Sequence, residues 1–245
     1  MLRLIFAGIF LLLFFIISIP LYLIEYIIGR FNHRAMVASS QTIVVGAFHI
    51  LLFICGVRRT IIGRENIPKN EAVLYISNHR SYFDIPVAYS SVPTLTSFMA
   101  KKEIAKIPFL SYWMRFLQCL FLDREDIKQG LQTVLKGIDL VKSGYSVFIA
   151  PEGTRSQTKE MLPFKEGSFK IAEKTGCAII PVAILNTDEV FENHAPRVHS
   201  AHVVLEYGQP IYPKDLSKEQ LKFLGSHVQG IIREMLTKNE SMIEK

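Results

Sequence analysis

Two short runs hold residue types from which an acid–base centre beside an anion site can be built. The first is Ser77-Asn78-His79-Arg80-Ser81-Tyr82-Phe83-Asp84-Ile85-Pro86. An imidazole backed by a carboxylate is what a general base needs: the carboxylate fixes the ring tautomer and steadies the imidazolium that forms when a hydroxyl proton is taken. Five positions along one helix separate two side chains by about 140° round its axis. His79 and Asp84 can therefore meet only if His79 lies in a turn and Asp84 at the start of the helix that follows. Pro86, tolerated in a first turn, and Asp84, a good N-cap, fit that register. The plainer reading is a capped helix beside a surface histidine. Ser81-x-x-Asp84 also matches a capping box, but that register places Pro86 deeper in the helix.

The second run is Ala150-Pro151-Glu152-Gly153-Thr154-Arg155-Ser156. Gly153 permits close backbone approach, Thr154 and Ser156 offer hydroxyls, and Arg155 offers a planar fork suited to phosphate. A polar turn between strand and helix reads the same way. Lys101-Lys102 and Arg124 add positive charge after two further β runs. Four strand ends delivering His79, Lys101, Arg124 and Glu152-Gly153-Thr154-Arg155 would converge on one cleft, with an anion held beside a base. No G-x-S-x-G elbow occurs, which argues against a serine acyl-enzyme and leaves His79 to activate a hydroxyl of the substrate. Cys55, Cys119 and Cys177 are far apart and form no metal-binding pair, so they read as reduced, buried small hydrophobes.

The elements that must position these residues alternate along 58–245. Expected strands are Thr60–Gly63, Ala72–Ile76, Ser97–Ala100, Cys119–Leu122, Val147–Ala150, Ala178–Ala183 and Ala201–Tyr207. Helices are expected near Ile85–Ser90, Pro108–Phe116, Ile127–Lys142, Phe169–Thr175 and Lys218–Leu236. This alternation predicts one α/β domain with a mixed, mostly parallel sheet flanked by helices, with only Lys238–Lys245 frayed. A histidine at the carboxyl end of a strand sits where such sheets bind ligands.

Residues 1–57 have another character. Of these 57 positions 40 are apolar, and they account for a positive mean hydropathy of +0.25 over 245 residues. Leu4–Ile24 carries no charge and as a helix is about 31 Å long, near the thickness of a bilayer core. A second apolar run spans Ala35–Val57. No signal-peptidase pattern follows the first run, so a membrane-embedded two-helix hairpin is expected over 1–57, with Pro20 as a kink. Ser18, Tyr22, Glu25 and Gly29 make one polar stripe and Ser39, Thr42, Gly46, His49 and Gly56 another, expected to face each other or the headgroups, with His49 packed inside the hairpin. Basic residues flank both ends and the connecting loop (Arg3, Arg30, Arg34, Arg58, Arg59), which favours a monotopic hairpin on the cytoplasmic face over two full spans. The net charge of +6 suits anionic lipid or phosphorylated substrates and is too sparse for nucleic acid.

Asn78-His79-x4-Asp84, Phe121-x-x-Arg124, Pro151-Glu152-Gly153-Thr154-Arg155-Ser156 and Ile180-Pro181-Val182-Ala183, in this order, resemble the four motifs of the glycerolipid acyltransferases. Among these the chain is most similar to bacterial 1-acyl-sn-glycerol-3-phosphate acyltransferases, over residues 58–212. The resemblance implies transfer of a fatty acyl group from a thioester to the sn-2 hydroxyl of lysophosphatidic acid. His79 would be the base and Asp84 its orienter. Lys101, Arg124, Glu152, Gly153, Thr154 and Arg155 would shape the acceptor and phosphate site, and Pro181 would serve the acyl side or packing. No cofactor or metal is implied; acyl carrier protein or coenzyme A would bring the acyl group. Gln118 stands where a small residue, usually glycine, is expected, and Ala150 where an aromatic is expected. Another lysolipid acceptor, or a non-catalytic membrane-anchored lipid-binding module, are the alternative readings.

Overall fold

The computed structural model describes residues 1–243. Seven strands form one sheet: β1 Arg58–Ile62, β2 Leu74–Ser77, β3 Thr96–Lys101, β4 Leu120–Leu122, β5 Ser146–Ile149, β6 Ile179–Leu185 and β7 His202–Tyr207, in the order β1-β7-β6-β2-β5-β3-β4. All neighbours run parallel except β6 and β7, which are antiparallel, so the sheet is mixed and mostly parallel as expected. Every expected strand is present, with no end shifted by more than two residues.

Alternation along the central strands explains why helices cover both faces. Val73 and Tyr75, with Ile180, Val182 and Ile184, point into one apolar cluster, while Leu74 and Ile76, with Ile179 and Ala183, point into the other. The first cluster is closed by α3 (Asp84–Tyr89) and α4 (Leu110–Phe116), and the second by α5 (Ile127–Lys142) and α6 (Lys170–Thr175). Asp126 caps α5, its side chain accepting from Gln129 N at 3.0 Å.

The single helix expected over Lys218–Leu236 is two: α7, Lys218–Lys222, and α8, Leu224–Asn239. Phe223 breaks it at φ −120°, and the Glu166 carboxylate takes the Gly225 amide at 3.0 and 3.1 Å, a favourable place for an anion at a new helix start. Gly225 makes this possible, since a Cβ there would lie 2.7 Å from Glu166 Oε1. Phe169 likewise belongs to a 3-10 turn, Glu166–Phe169, that precedes α6.

The N-terminal hairpin consists of α1 (Leu2–Phe31), unbroken through Pro20, and α2 (His33–Cys55). Both are long and apolar enough to cross a membrane. Its polar stripes correct the expectation in part. Glu25 is buried and held by Ser39 at 2.7 Å and Ser40 at 3.0 Å, which links the two helices. Ser18, Tyr22 and Gln41 face the α/β domain rather than headgroups, while Thr42 is exposed and bonds the Ala38 carbonyl of its own helix at 2.9 Å. Ser18 Oγ accepts from Trp113 Nε1 (2.9 Å), Tyr22 donates to the Phe109 carbonyl (2.9 Å), and Gln41 bonds Thr94 O and Thr96 N. His49 is not packed inside the hairpin: it is exposed, 3.2 Å from Ser90 O at the end of α3. Leu52 and Cys55 are 1% exposed within the first apolar cluster, so the hairpin completes the core.

Candidate active site

The four strands β2, β5, β3 and β4 are consecutive in the sheet and parallel, so their carboxyl ends lie side by side along one rim. His79 follows β2, the Pro151–Ser156 turn follows β5, Lys101 ends β3, and Arg124 follows β4. His79, Asp84, Lys101, Arg124, Gly153, Thr154 and Arg155 all line one cavity of about 580 Å³. Its other walls are apolar, including Phe98, Leu110, Trp113, Met114 and Leu117, and it reaches Val44 and Phe48 of α2.

At its polar end His79 Nδ1 lies 2.8 Å from Asp84 Oδ2. Asp84 is the first residue of α3, with Phe83 at the N-cap, so its carboxylate does not cap that helix as expected. It turns back instead and accepts from Arg80 N (2.8 Å), Ser81 N (2.9 Å) and the Thr187 hydroxyl. With four donors converging on it, the carboxylate is held in one place at 2% exposure. The Nδ1–H tautomer is fixed in this way, and Nε2 remains as the basic nitrogen.

The backbone of His79 is clamped by the second run: His79 N donates to Glu152 Oε1 at 2.7 Å, and Ser156 N donates to His79 O at 2.9 Å. The other Glu152 oxygen accepts from Leu162 N at 2.8 Å. Glu152 therefore departs from its expected place against the substrate. Its carboxyl, 4% exposed and pushed up in pKa by burial, holds the His79 backbone from behind. Asn78 extends this bracing by exchanging two hydrogen bonds with the Ile184 backbone of β6, both at 2.8 Å.

The cations differ in how far they are already neutralised. Arg155 bonds Glu192 at 3.0 Å and stacks on the Tyr82 ring, 3.6 Å from its centroid. Lys101 faces Glu103 at 3.3 Å, and Lys102, which is not among the cavity residues, faces Asp123 at 2.6 Å. Arg124 has no ion pair among the described residues.

A segment that sequence reasoning missed, Thr187–Glu192 after β6, braces the whole loop. Thr187 bonds Asp84, Asp188 pairs with Arg80, and Glu192 accepts from Ser81 Oγ and Tyr82 N, both at 2.7 Å. The one signal available was its place just past the strand beside β2, on the same rim.

Cys119 also lines the cavity, but burial pushes its thiol up to about 12, so it is not a thiolate nucleophile near neutrality. Gln118 adopts a left-handed backbone at φ 56°, which accounts physically for the glycine expected there, and its buried Nε2 has no partner. Ala150 borders the cavity, so the missing aromatic leaves space in it.

Comparison with known proteins places this geometry. The family model for acyltransferases matches residues 58–185. A 1-acyl-sn-glycerol-3-phosphate acyltransferase of Saccharomyces cerevisiae is 30% identical over 177 residues, 71% of this chain and 58% of that protein. The protein of the same name from Escherichia coli is 31% identical over 166 residues, 66% of each chain. The chain thus spans less than two thirds of the length of these relatives. The crystal structure of the 1-acyl-sn-glycerophosphate (LPA) acyltransferase PlsC from Thermotoga maritima superposes with a TM-score of 0.76 at 26% identity, covering 99% of this chain and 100% of that one. With half of its length matched by the family model, and with His79, Asp84, Arg124, Gly153, Thr154 and Arg155 of the first three motifs round one cavity, this chain belongs to the acyltransferase family.

Proposed function

We propose that the protein transfers a fatty acyl group from an acyl thioester, borne by acyl carrier protein or coenzyme A, to the sn-2 hydroxyl of 1-acyl-sn-glycerol 3-phosphate, giving phosphatidic acid. The observation that carries this reading is the His79–Asp84 pair at 2.8 Å, set at the junction of an apolar cavity and a cationic rim. The apolar walls suit an acyl chain, and the rim suits a phosphate. The names of the relatives support the same substrate.

The acceptor hydroxyl oxygen attacks the thioester carbonyl carbon while His79 Nε2 takes its proton. Asp84 stabilises the imidazolium. The carbon–sulfur bond of the tetrahedral intermediate then breaks, and the imidazolium returns the proton to the departing thiolate. No acyl-enzyme is formed, in keeping with a cavity whose cysteine has a raised pKa. General-base action typically supplies about 10²–10⁴-fold, and positioning of the two substrates supplies much of the remainder.

The bare outer side of α1 reads as the membrane anchor: Ile5, Ile9, Leu12, Ile16 and Leu23 are all exposed. In this reading the hairpin enters the bilayer from the cytoplasmic face without crossing it, and the acceptor reaches the cavity without leaving its leaflet. The test is purified protein in phospholipid vesicles, offered a panel of lysolipids with both thioester types, products identified by mass. Phosphatidic acid formed in step with released thiol is the expected result. Acylation confined to lysolipids without a phosphate monoester overturns the proposed substrate.

A further inference from the structure

Lys165 belongs to none of the four motifs, yet it lies against the active-site turn. Its backbone amide donates to Pro151 O at 3.1 Å, and three residues earlier Leu162 N is tied to Glu152. The chain is thus pinned twice to the turn that clamps His79. Its side chain then crosses Gly153. A Cβ on Gly153 would lie 2.8 Å from Lys165 Nζ and 3.2 Å from its Cε, so the missing side chain provides the space the ammonium occupies. Gly153 also sits at φ 77°, where a side chain is strained, and it lines the cavity that holds His79.

The other cations at this rim, Arg124 apart, already have partners. Arg155 is occupied by Glu192 and by the Tyr82 ring, Arg80 by Asp188, and Lys101 by Glu103. The nearest acid in sequence, Glu166, spends both oxygens on Gly225 N. Among the described residues Lys165 Nζ has neither an ion pair nor a hydrogen bond, a property it shares at this site with Arg124. An exposed ammonium held beside a cavity without a counter-ion is suited to a phosphate brought by the substrate.

We propose that Lys165, laid over Gly153, binds the phosphate monoester of the acceptor together with Arg124. This inference rests on the acceptor named under the proposed function. Lys165→Met keeps an unbranched side chain one atom shorter and removes the charge at an exposed position. It is expected to raise both the acceptor KM and the inhibition constant of inorganic phosphate by about 10-fold or more, the loss of one charged hydrogen bond, with kcat changed by less than about threefold. Lys165→Arg should restore most of both. Gly153→Ala, which displaces the ammonium, should raise the same two constants. Absence of wild-type turnover with the phosphate acceptor would overturn the proposed function, and this inference with it. A wild type that turns over, paired with a Lys165→Met variant whose phosphate inhibition constant is unchanged, would overturn this inference alone.

Discussion

Around the His79–Asp84 pair both carboxylates are fully partnered by groups of the chain, whereas at the cavity rim and on the outer face of α1 some groups are left without a partner among the described residues. The Asp84 carboxylate takes four donors and Glu152 takes two backbone amides. Arg124 and Lys165, in contrast, have no ion pair among the described residues, and α1 presents bare isoleucines and leucines to its surroundings. The difference separates what the fold holds rigid from what it leaves open to ligands: preorganised hydrogen bonds fix His79, and in the proposed function unmet charge and unmet apolar surface are where phosphate and lipid would be received. The hairpin shows both characters across its own width, with Ser18, Tyr22 and Gln41 bonded inwards to the α/β domain.

The sharpest way to break this comparison is to disturb the saturated centre. Asp84→Asn keeps the shape but loses the charge that fixes the His79 tautomer; kcat should fall by about 10²–10⁴-fold in a thiol-release assay, with the acceptor KM little changed. A large KM change with kcat preserved would place Asp84 among the ligand-receiving groups instead. Next comes the bare face of α1. Replacing Ile9 and Ile16, 49% and 54% exposed, by glutamate should lower binding to phospholipid vesicles by about 10-fold or more while the circular dichroism stays native. Truncation of 1–57 is a poorer test than these substitutions, because Leu52 and Cys55 belong to the core and their removal uncovers it. The smallest expected effect concerns Gln118, whose buried Nε2 has no partner among the described residues and whose backbone is left-handed. Gln118→Gly should raise stability by about 1 kcal/mol, a Tm rise of about 2–4 °C. A fall in Tm would show that this unmet group has a partner in the native protein.

Much of this arrangement is legible in the sequence because the information is local. The strand runs are short and β-branched, and a histidine five positions before Asp84 can meet it only across a turn, which is how the two are found. Periodicity also finds α5 at Ile127–Lys142, with the same ends in both readings. What is not legible depends on partners far apart in the chain. Thr187 reaches Asp84 across 103 positions and Glu192 reaches Ser81 across 111, and no spacing rule joins them. The interruption at Phe223 is set by Glu166, 59 positions from Gly225. The side of the hairpin that faces the α/β domain was equally hidden, because its polar stripe suits a protein surface and a headgroup layer alike. Lys165 lies outside every motif, and only the space left by Gly153 discloses its place.

The account rests most heavily on His79 as the base of a direct transfer. The most direct measurement compares wild type and His79→Ala, both shown to be folded, in vesicles containing 1-acyl-sn-glycerol 3-phosphate and an acyl thioester, following thiol release and product mass together. The wild type is expected to release one thiol for each phosphatidic acid formed, with no acyl group retained on the protein, and His79→Ala to show a rate lower by about 10²–10⁴-fold. A folded His79→Ala protein that turns over at a near wild-type rate, or an acyl group found covalently on the wild-type chain, would contradict it.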